Sequence, residues 1–495
     1  MEFSLGLPNE ILPVVFRDLD PQDLVSCSRT CWSWNAIANS LLYETVSFVS
    51  HAKFQQFVET ITDSQNHYEM CVGNSINTYR PLGQLVKSVE ITAGYTRRDD
   101  RYDYSTMLSR LASKTPNVHK AKMYLPILSS NTYDGLSFNW SNLASQWSKL
   151  TSLSLKGSLE YGMETYDMKN INDVFSRLHH LSVVRCDDFL THMLPSLPTM
   201  PYLQSFMATI YRTSDYQALK KILQTYQTTL HTLVIEFFCF YPQISFNLDD
   251  LNIGHKQLKA FGLMKHDDTQ INITKFGDNL EHLEWWIFSL KPDEILNQSI
   301  HQAMIKTSTL KTLSFAGKMA LDHIPLVLEA NKHSLHTFYV DHARGNDLIA
   351  LLQDSKVRLY NVVTLCFECP LLENADVRSL AEIFPNVKYL ALRRNRLSHE
   401  MIKGTRNIST RNISTRNVST MNISTRSIPS GSKLTIVELN RGPVWIATES
   451  LSHFQHLKAL DKITFPELVD QSLFTFQQCN IFRPKHKVQP VVIPL

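Results

Sequence analysis

The chain has 495 residues, which exceeds one ordinary globular domain, so we expect several domains or one long array of repeats. Apolar residues make up 43% and charged residues 19% of the chain, a composition that excludes a mostly disordered protein. The formal net charge of +3 is too small to indicate binding to nucleic acid or to an anionic membrane.

The start of the chain and the cysteines predict a location inside the cell. No cationic segment is followed by an apolar one, and no apolar run approaches the roughly 18 residues of a membrane span. The eight cysteines are scattered rather than clustered. We therefore expect a soluble protein of the cytoplasm or nucleus, with reduced thiols and no membrane partner.

Residues 7–38 carry apolar side chains at helical spacing and no catalytic group. Pro8 suits the first turn of a first helix, and Asp20 and Pro21 are typical of the start of a second one. The stripe on the first helix comprises Ile11, Leu12, Val15, Phe16 and Leu19. Helical spacing then continues through Leu24, Cys27, Cys31, Trp34, Ile37 and Ala38, and the unit closes with Leu41, Leu42, Tyr43 and Val46.

Three helices this short cannot bury all of these side chains on one another. Two interpretations follow from the residues alone. The segment either caps the rest of the chain by packing on it, or forms a docking surface for helices of another protein.

The spacing of these residues resembles the F-box motif. The matching positions are Leu7, Pro8, Glu10, Ile11, Leu12, Phe16, Leu19, Asp20, Asp23, Leu24, Cys27, Cys31, Trp34, Ile37 and Ala38. In that family the three helices bind a Skp-family adaptor, which connects them to the cullin and RING subunits of a ubiquitin ligase. The resemblance implies that the adaptor-binding residues are Leu7, Pro8, Glu10, Ile11, Leu12, Phe16, Leu19, Leu24 and Trp34.

Two positions depart from the family pattern. Pro13 removes a backbone donor inside the first predicted helix and should kink that helix or delay its start. Thr30 stands where family members usually carry valine, which slightly weakens the apolar face.

A short pattern, L-x-x-L-x-L with apolar substitutes, recurs along the rest of the chain at intervals of mostly about 22 to 32 residues. The copies start at Val86, Val118, Leu150, Leu178, Leu203, Leu230, Leu258, Leu280, Leu310, Leu335, Tyr360, Val387, Leu434 and Leu457. Helical stripes lie between copies at Leu219, Ile222, Leu223 and Tyr226 and at Val377, Leu380, Ala381 and Phe384. The interval brackets the period of leucine-rich repeats.

The pattern predicts an α/β fold, in which an F-box of three helices precedes a leucine-rich-repeat solenoid with parallel strands and outer helices. The alternative is an all-helical or irregular α/β domain. The predicted division is an F-box at 1–48, a helical connector at 49–80, degenerate repeats at 81–465, and a C-terminal cap and tail at 466–495. A low-complexity loop at 397–432 interrupts the repeats, because four RNIST-like units at 406–425 have little with which to build a core.

We find no catalytic constellation in the sequence. Cys366 and Cys369 form the only C-x-x-C, and no second pair completes a zinc site. Motifs for nucleotide binding, zinc proteases and activated serine are absent. The sequence therefore predicts a protein that is not an enzyme and has no cofactor and no metal.

Side chains alternate along a strand, so the positions between consensus residues should line an open face of the solenoid. The candidate target-binding residues are Lys156, Glu236, Glu284, Trp286, Tyr339, Asp341 and Arg393. Trp286 and Tyr339 are the most suggestive, because exposed aromatic side chains are typical interface anchors. The alternative is that the register slips and these aromatic residues belong to the core.

These features together predict a substrate receptor of a cullin–RING ubiquitin ligase of the SCF type. The F-box would bind the Skp-family adaptor, and the repeats would hold a target protein near a ubiquitin-charged enzyme. The alternative is a scaffold that binds the adaptor without ubiquitin transfer.

Overall fold

The computed structural model describes the helical N-terminus and the repeats as far as residue 393. The described residues are 11–393 except 18, 72–79, 93–99, 125–142, 144, 157–172, 187–189, 192–198, 239–244, 252–256, 267–269, 288–300, 318–320, 342–344, 369–373 and 388. The predicted low-complexity loop, the copies at Leu434 and Leu457, and the C-terminal cap lie outside them. The chain divides into two compact units, residues 1–230 and 231–495.

The first unit begins with three helices, α1 (Leu12–Arg17), α2 (Pro21–Ser28) and α3 (Trp32–Glu44). The predicted cap of α2 is confirmed, because the Asp20 carboxylate accepts hydrogen bonds from the backbone N–H groups of Gln22 and Asp23, both at 2.9 Å. The aspartate thus satisfies donors that the first turn leaves without an intrahelical partner.

Pro13 delays the start of the first helix, as the sequence predicts. α1 begins at Leu12, so Pro13 is its second residue, where a missing N–H costs no intrahelical hydrogen bond. Pro8, which was expected in the first turn, precedes the described residues.

The rest of the first unit is a parallel sheet with helices in the connections. Its elements are β1 (Thr45–Phe48), α4 (His51–Cys71), β2 (Ser88–Ile91), α5 (Asp100–Lys114), β3 (Lys120–Tyr124), β4 (Ser152–Lys156), β5 (His180–Val184), β6 (Ser205–Ile210) and α6 (Thr213–Tyr226). The strands pair in sequence order, from β1 to β6. α4 and α5 contact each other on one side of this sheet.

The second unit repeats the arrangement with seven described strands in its main sheet. Its elements are β7 (Thr232–Phe237), β8 (Ser245–Asn247), β9 (Ala260–Lys265), β10 (Gln270–Asn272), β11 (His282–Ile287), β12 (Thr312–Gly317), α7 (Ile324–Ala330), β13 (Thr337–Asp341), α8 (Gly345–Asp354), β14 (Thr364–Glu368), α9 (Asn374–Ile383) and β15 (Tyr389–Arg393). β8 and β10 form a separate parallel pair, and the remaining strands follow sequence order. The predicted α/β fold, helices followed by a parallel repeat solenoid, is confirmed.

In the described copies other than the one predicted at Tyr360, the consensus residues with described side chains are buried. In the copy starting at Leu280, the side chains of Leu280, Leu283 and Trp285 are all buried. The copies are tied together by a recurring hydrogen bond, in which one backbone carbonyl accepts from two consecutive N–H groups of the next copy. The Glu281 carbonyl, for example, accepts from Lys311 at 2.6 Å and from Thr312 at 3.0 Å.

Two local predictions were wrong. Val46 lies in a strand, β1, rather than at the end of the helical segment. The copy at Tyr360 is displaced by two residues, since Tyr360 is 59% exposed and Val362, Leu365 and Phe367 are the buried residues. Cys366 accordingly lies within β14.

Candidate functional site

The three N-terminal helices have a small core of their own. The buried side chains are Leu12, Phe16, Leu24 and Ala38, and the partly buried ones packed against them are Leu19, Cys27, Trp34, Ile37, Leu41 and Leu42. The rings of Phe16 and Trp34 pack edge to face, with centroids 5.1 Å apart and planes at 78°. These contacts hold the three short helices to one another.

Five apolar side chains of the same helices point away from this core and are exposed. They are Ile11, Val14, Val15, Val25 and Trp32, and we call them the outer apolar face. Trp32 is 85% exposed and Val14 is 63% exposed. Large exposed apolar side chains such as the Trp32 indole are typical anchors of protein–protein interfaces.

The outer apolar face differs from the residues that the resemblance implies. Leu12, Phe16 and Leu24 are buried in the core of the helices, so in this conformation they hold the helices together rather than present a surface. Leu19 and Trp34 are partly buried against the same core. Only Ile11 is exposed among the implied residues that the structure describes, while Leu7, Pro8 and Glu10 lie outside those residues.

Sequence reasoning missed Val14, Val25 and Trp32. The available signal was their helical position, because an apolar side chain that falls off the main stripe has no core partner within its own helix. Val14 lies two residues from both Leu12 and Phe16, which places it on the opposite side of α1.

The consensus residues of the strands lie on one face of the sheet, and we call the opposite face the second face. Strand alternation places three of the predicted target-binding residues on the second face in the second unit, but they are not open to solvent. Glu236 is fully buried, Glu284 is 4% exposed and Trp286 is 9% exposed. The prediction that they line an open face was therefore wrong for the described conformation. Neighbours such as Met264 and Cys366 are buried on this face too, so both faces of the sheet are covered here.

Trp286 and Tyr339 form an aromatic pair on this second face. Their rings are stacked with centroids 6.2 Å apart and planes within 3° of parallel. The strand between them carries Ser314 and Ala316 at the matching positions, and these small side chains leave room for the rings to meet. The burial of Trp286 agrees with the sequence-based alternative, in which this residue belongs to the core. Tyr339 is half-buried.

The two buried glutamates of this face have different surroundings. One Glu236 oxygen lies 2.9 Å from Nε2 of His266. Among the described residues, one Glu284 oxygen has no hydrogen-bond partner, and burial raises the pKa of the carboxyl well above the usual value. Burial therefore favours the protonated, neutral form of Glu284.

The remaining predicted residues lie at strand ends. Lys156 ends β4 in the first unit and is half-buried. Asp341 ends β13 and Arg393 ends β15, but their side chains are outside the described part of the structure. Lys156 belongs to the first unit, and the other predicted target-binding residues belong to the second.

The second face of the sheet in the first unit carries charged and hydroxyl side chains on β2, β3 and β4. Lys122 and Glu90 form an ion pair at 2.7 Å on this face. Lys120 lies two residues before Lys122 on β3, and burial together with the Lys122 charge lowers the pKa of its ammonium group. Serines occupy half of the neighbouring positions on β2, β4 and β5, but Val184 and Met207 are buried on the same face of β5 and β6.

The described residues include no candidate metal site and no membrane-spanning helix. Among them no group of three or more His, Cys, Asp or Glu side chains is arranged to hold a metal ion. None of their helices combines the length and apolar character needed to cross a membrane.

A family described as F-box-like matches residues 5–49 of the chain. These residues therefore form an F-box-like domain, and no enzymatic family is indicated. The match includes all three N-terminal helices, their core and the outer apolar face.

Two further comparisons concern the whole chain. No curated protein gives a significant match. The chain is similar to one in the crystal structure of the Rad7 and Elc1 complex in yeast, at 14% sequence identity and a TM-score of 0.40. The similarity covers 78% of this chain and 88% of that one.

Proposed function

We propose that the chain is a substrate receptor of a cullin–RING ubiquitin ligase. The F-box-like helices bind a Skp-family adaptor, and the repeats bind the target protein. The observation that carries the proposal is the outer apolar face, which lies within the F-box-like match and is exposed in the described part of the chain. The receptor performs no bond chemistry itself; it raises the local concentration of the target near the ligase.

The outer apolar face supplies the adaptor contact in this account. Ile11, Val14 and Val15 lie at or near the start of α1, and Trp32 begins α3. Trp32 is the best candidate for an anchor, since an exposed indole buries a large apolar area when a partner covers it. Leu12, Phe16 and Leu24 act by holding the helices in the arrangement that presents this face.

The connection from α3 to the sheet supports a fixed orientation of adaptor and target. α3 ends at Glu44 and β1 starts at Thr45, so no loop separates the third helix from the first strand. Lys87, next to β2, forms an ion pair with Glu44 at 2.9 Å. A stiff junction of this kind limits the volume that a bound target explores relative to the adaptor. It therefore favours ubiquitin transfer to a target held at a fixed distance from the ligase.

The repeats have features that support a leucine-rich-repeat assignment. Their strands are parallel and pair in sequence order. In most copies the strand begins two residues after the first consensus apolar residue. Cys186 occupies the position where that consensus has Asn or Cys; it is buried, and its thiol donates to the Val184 carbonyl at 3.6 Å. We assign the ligase role to the cytoplasm or nucleus, where such thiols stay reduced.

The adaptor interaction is tested with the purified full chain and a Skp-family adaptor. We expect the double variant Val14→Asp/Trp32→Asp to bind the adaptor at least tenfold more weakly than the wild type, because two charges would be buried at the interface. Both residues are exposed, so the variant should keep its melting temperature. Met70→Asp is the matched control, since Met70 is an exposed apolar residue outside the F-box-like segment. Equal adaptor affinity of the double variant and the wild type would refute the proposed site.

A further inference from the structure

Glu284 lies in the middle of a strand of the second unit, away from both strand ends. It is the third of the six residues of β11, and strand alternation places its side chain on the second face of the sheet. Described strands flank it on both sides, β9 through Gly262 and β12 through Ser314. The strand register therefore defines the neighbours of its side chain across the sheet.

The Glu284 carboxyl is buried without an opposite charge beside it. Among the described residues, its Oε2 has no hydrogen-bond partner, although the side chain is only 4% exposed. His282, two residues earlier on the same face, has its Nε2 3.9 Å from a carboxylate oxygen of Glu281 instead. The register aligns Glu284 with Val234, Gly262, Ser314, Tyr339 and Cys366, none of which is cationic. A buried carboxylate is costly unless a donor or a positive charge meets it.

The neighbouring strands place only small side chains against Glu284. Gly262 has no side chain and Ser314 has a short one, so neither strand packs a long side chain on the carboxyl. Ala316 keeps the next row of the sheet low as well, beside Trp286. The Ser314 hydroxyl can accept a hydrogen bond from a group bound next to the carboxyl.

The stacked rings of Trp286 and Tyr339 lie next to this carboxyl. Trp286 is two residues after Glu284, about 7 Å along the same strand. Tyr339 is in the row of Glu284, two strands or about 10 Å across the sheet. Tyr339 is half-buried while Glu284 is buried, so a group that enters beside the Tyr339 ring passes an aromatic surface before it meets the carboxyl.

We propose that Glu284, Trp286 and Tyr339 form a recognition site for an arginine side chain of the target protein. This inference rests on the proposed role of the chain as a substrate receptor. A guanidinium group donates two parallel hydrogen bonds to a carboxylate, and its plane stacks on aromatic rings. In this site the Glu284 carboxylate accepts the guanidinium N–H groups, and the Tyr339 ring stacks on the guanidinium plane.

The burial of the site favours arginine over lysine. A guanidinium group is more weakly hydrated than an ammonium group, so its transfer from water into an enclosed site costs less free energy. Its flat shape also suits the space beside an aromatic ring. The bound positive charge stabilises the ionised form of Glu284, which burial alone disfavours. The site is therefore enclosed and takes one long side chain, in keeping with the burial of Glu284 and Trp286.

The test measures binding of a labelled peptide, with one arginine among glycine and serine residues, to the full chain by fluorescence anisotropy. We expect Glu284→Gln to raise the Kd about tenfold, because the amide keeps the shape of the carboxyl without its charge. The same substitution removes a buried ionisable group and should raise the melting temperature, so unfolding cannot cause the loss of binding. Glu281→Gln is the matched control, since it removes the same charge one residue before β11, where Glu281 pairs with Lys311 at 2.9 Å.

Variants of Tyr339 and of the peptide test the stacking and the choice of arginine. Tyr339→Phe keeps the ring and should keep the Kd within about threefold, whereas Tyr339→Leu should raise it about fivefold. Peptides with lysine or glutamine in place of arginine should bind about fivefold and about tenfold more weakly. Equal Kd values for Glu284→Gln and Glu281→Gln, or for the arginine and glutamine peptides, would overturn the proposal. Tighter binding of the lysine peptide would also overturn it, in favour of a site for an ammonium group.

The same protein samples separate this inference from the proposed function. If the adaptor binds and the arginine peptide does not, the arginine site fails and the receptor role stands. If the peptide binds and the adaptor does not, the receptor role fails, and the arginine site remains as a feature of another kind of binding protein.

Discussion

His301 shows how a single buried side chain can set the acid stability of the repeats. It is fully buried in the second unit, and its ring centroid lies 5.2 Å from that of His323. Within the part of the chain that the structure describes, neither ring nitrogen is hydrogen-bonded. Burial, together with the His323 charge, lowers the His301 pKa to about 4. The neutral ring suits this environment and the protonated ring does not.

The His301 pKa predicts a loss of stability in mild acid. An unfolded histidine takes up its proton near pH 6.5 and the folded one near pH 4, so the unfolded state binds more protons between these values. The contribution is complete above pH 6.5 and is lost as the pH falls, by about 3 kcal/mol at pH 4. Urea unfolding at pH 7 and pH 4.5 measures it. His301→Leu should flatten this dependence and the exposed-site control His333→Leu should not; an unchanged dependence in His301→Leu would refute the assignment.

Glu284 gives the opposite pH dependence. Its raised pKa means that the folded state keeps a proton that the unfolded state loses above about pH 4.5, so the free energy of unfolding falls as the pH rises from that value. Glu284→Gln keeps the shape without the charge and should stabilise the protein at pH 7. Glu281→Gln is the control, because a hydrogen bond from Lys311 lowers the Glu281 pKa and the change should be neutral or destabilising. Destabilisation by Glu284→Gln at pH 7 would contradict this account.

At the scale of elements, the N-terminal helices contain two sets of apolar residues. One set forms the core that holds the helices together, and the other forms the outer apolar face. Leu12 and Phe16 are buried in the helical core, and Val14 and Trp32 lie outside it. Adaptor binding should therefore depend on both sets, but for different reasons.

Phe16→Ala tests this separation. We expect it to lower the stability of the helical segment by about 3–5 kcal/mol, because it leaves a cavity against Trp34. Limited proteolysis should then cut within residues 11–44, and adaptor binding should be lost together with the fold. Val14→Asp/Trp32→Asp should resist the protease and still lose the adaptor. Protease resistance of Phe16→Ala with full adaptor binding would show that the core does not organise this surface.

The elements that periodicity defines were predictable, and those that depend on tertiary contacts were not. The stripe of Leu219, Ile222 and Leu223 predicts α6, and each lies on its buried side. Tyr360 was placed in a strand because it is apolar at the expected interval, yet the burial of Val362 decides the register. A shift of two residues preserves alternation, so local pattern alone cannot detect it.

At the scale of the whole molecule, the two units use the second face of their sheets differently. Serines and lysines occupy it on β2 to β4 of the first unit, whereas Val184 and Met207 are buried on it in β5 and β6, as are Met264, Trp286 and Cys366 in the second unit. Glu284 and Ser314 at alternate positions favour an open face when the sequence is considered alone, yet both side chains are buried. What covers each residue depends on distant parts of the chain, and this information is absent from a short motif.

The proposed adaptor contact lies next to the start of the sheet. The exposed apolar side chains of the N-terminal helices include Trp32, which begins α3, and α3 continues directly into β1.

The most direct measurement is recovery of the tagged full chain from cells, followed by quantification of the Skp-family adaptor and cullin that accompany it. The account predicts near-stoichiometric adaptor together with cullin for the wild type, and loss of both for Val14→Asp/Trp32→Asp. Met70→Asp should behave like the wild type. Absence of adaptor and cullin from the wild-type complex, or their full recovery with the double variant, would contradict the central claim.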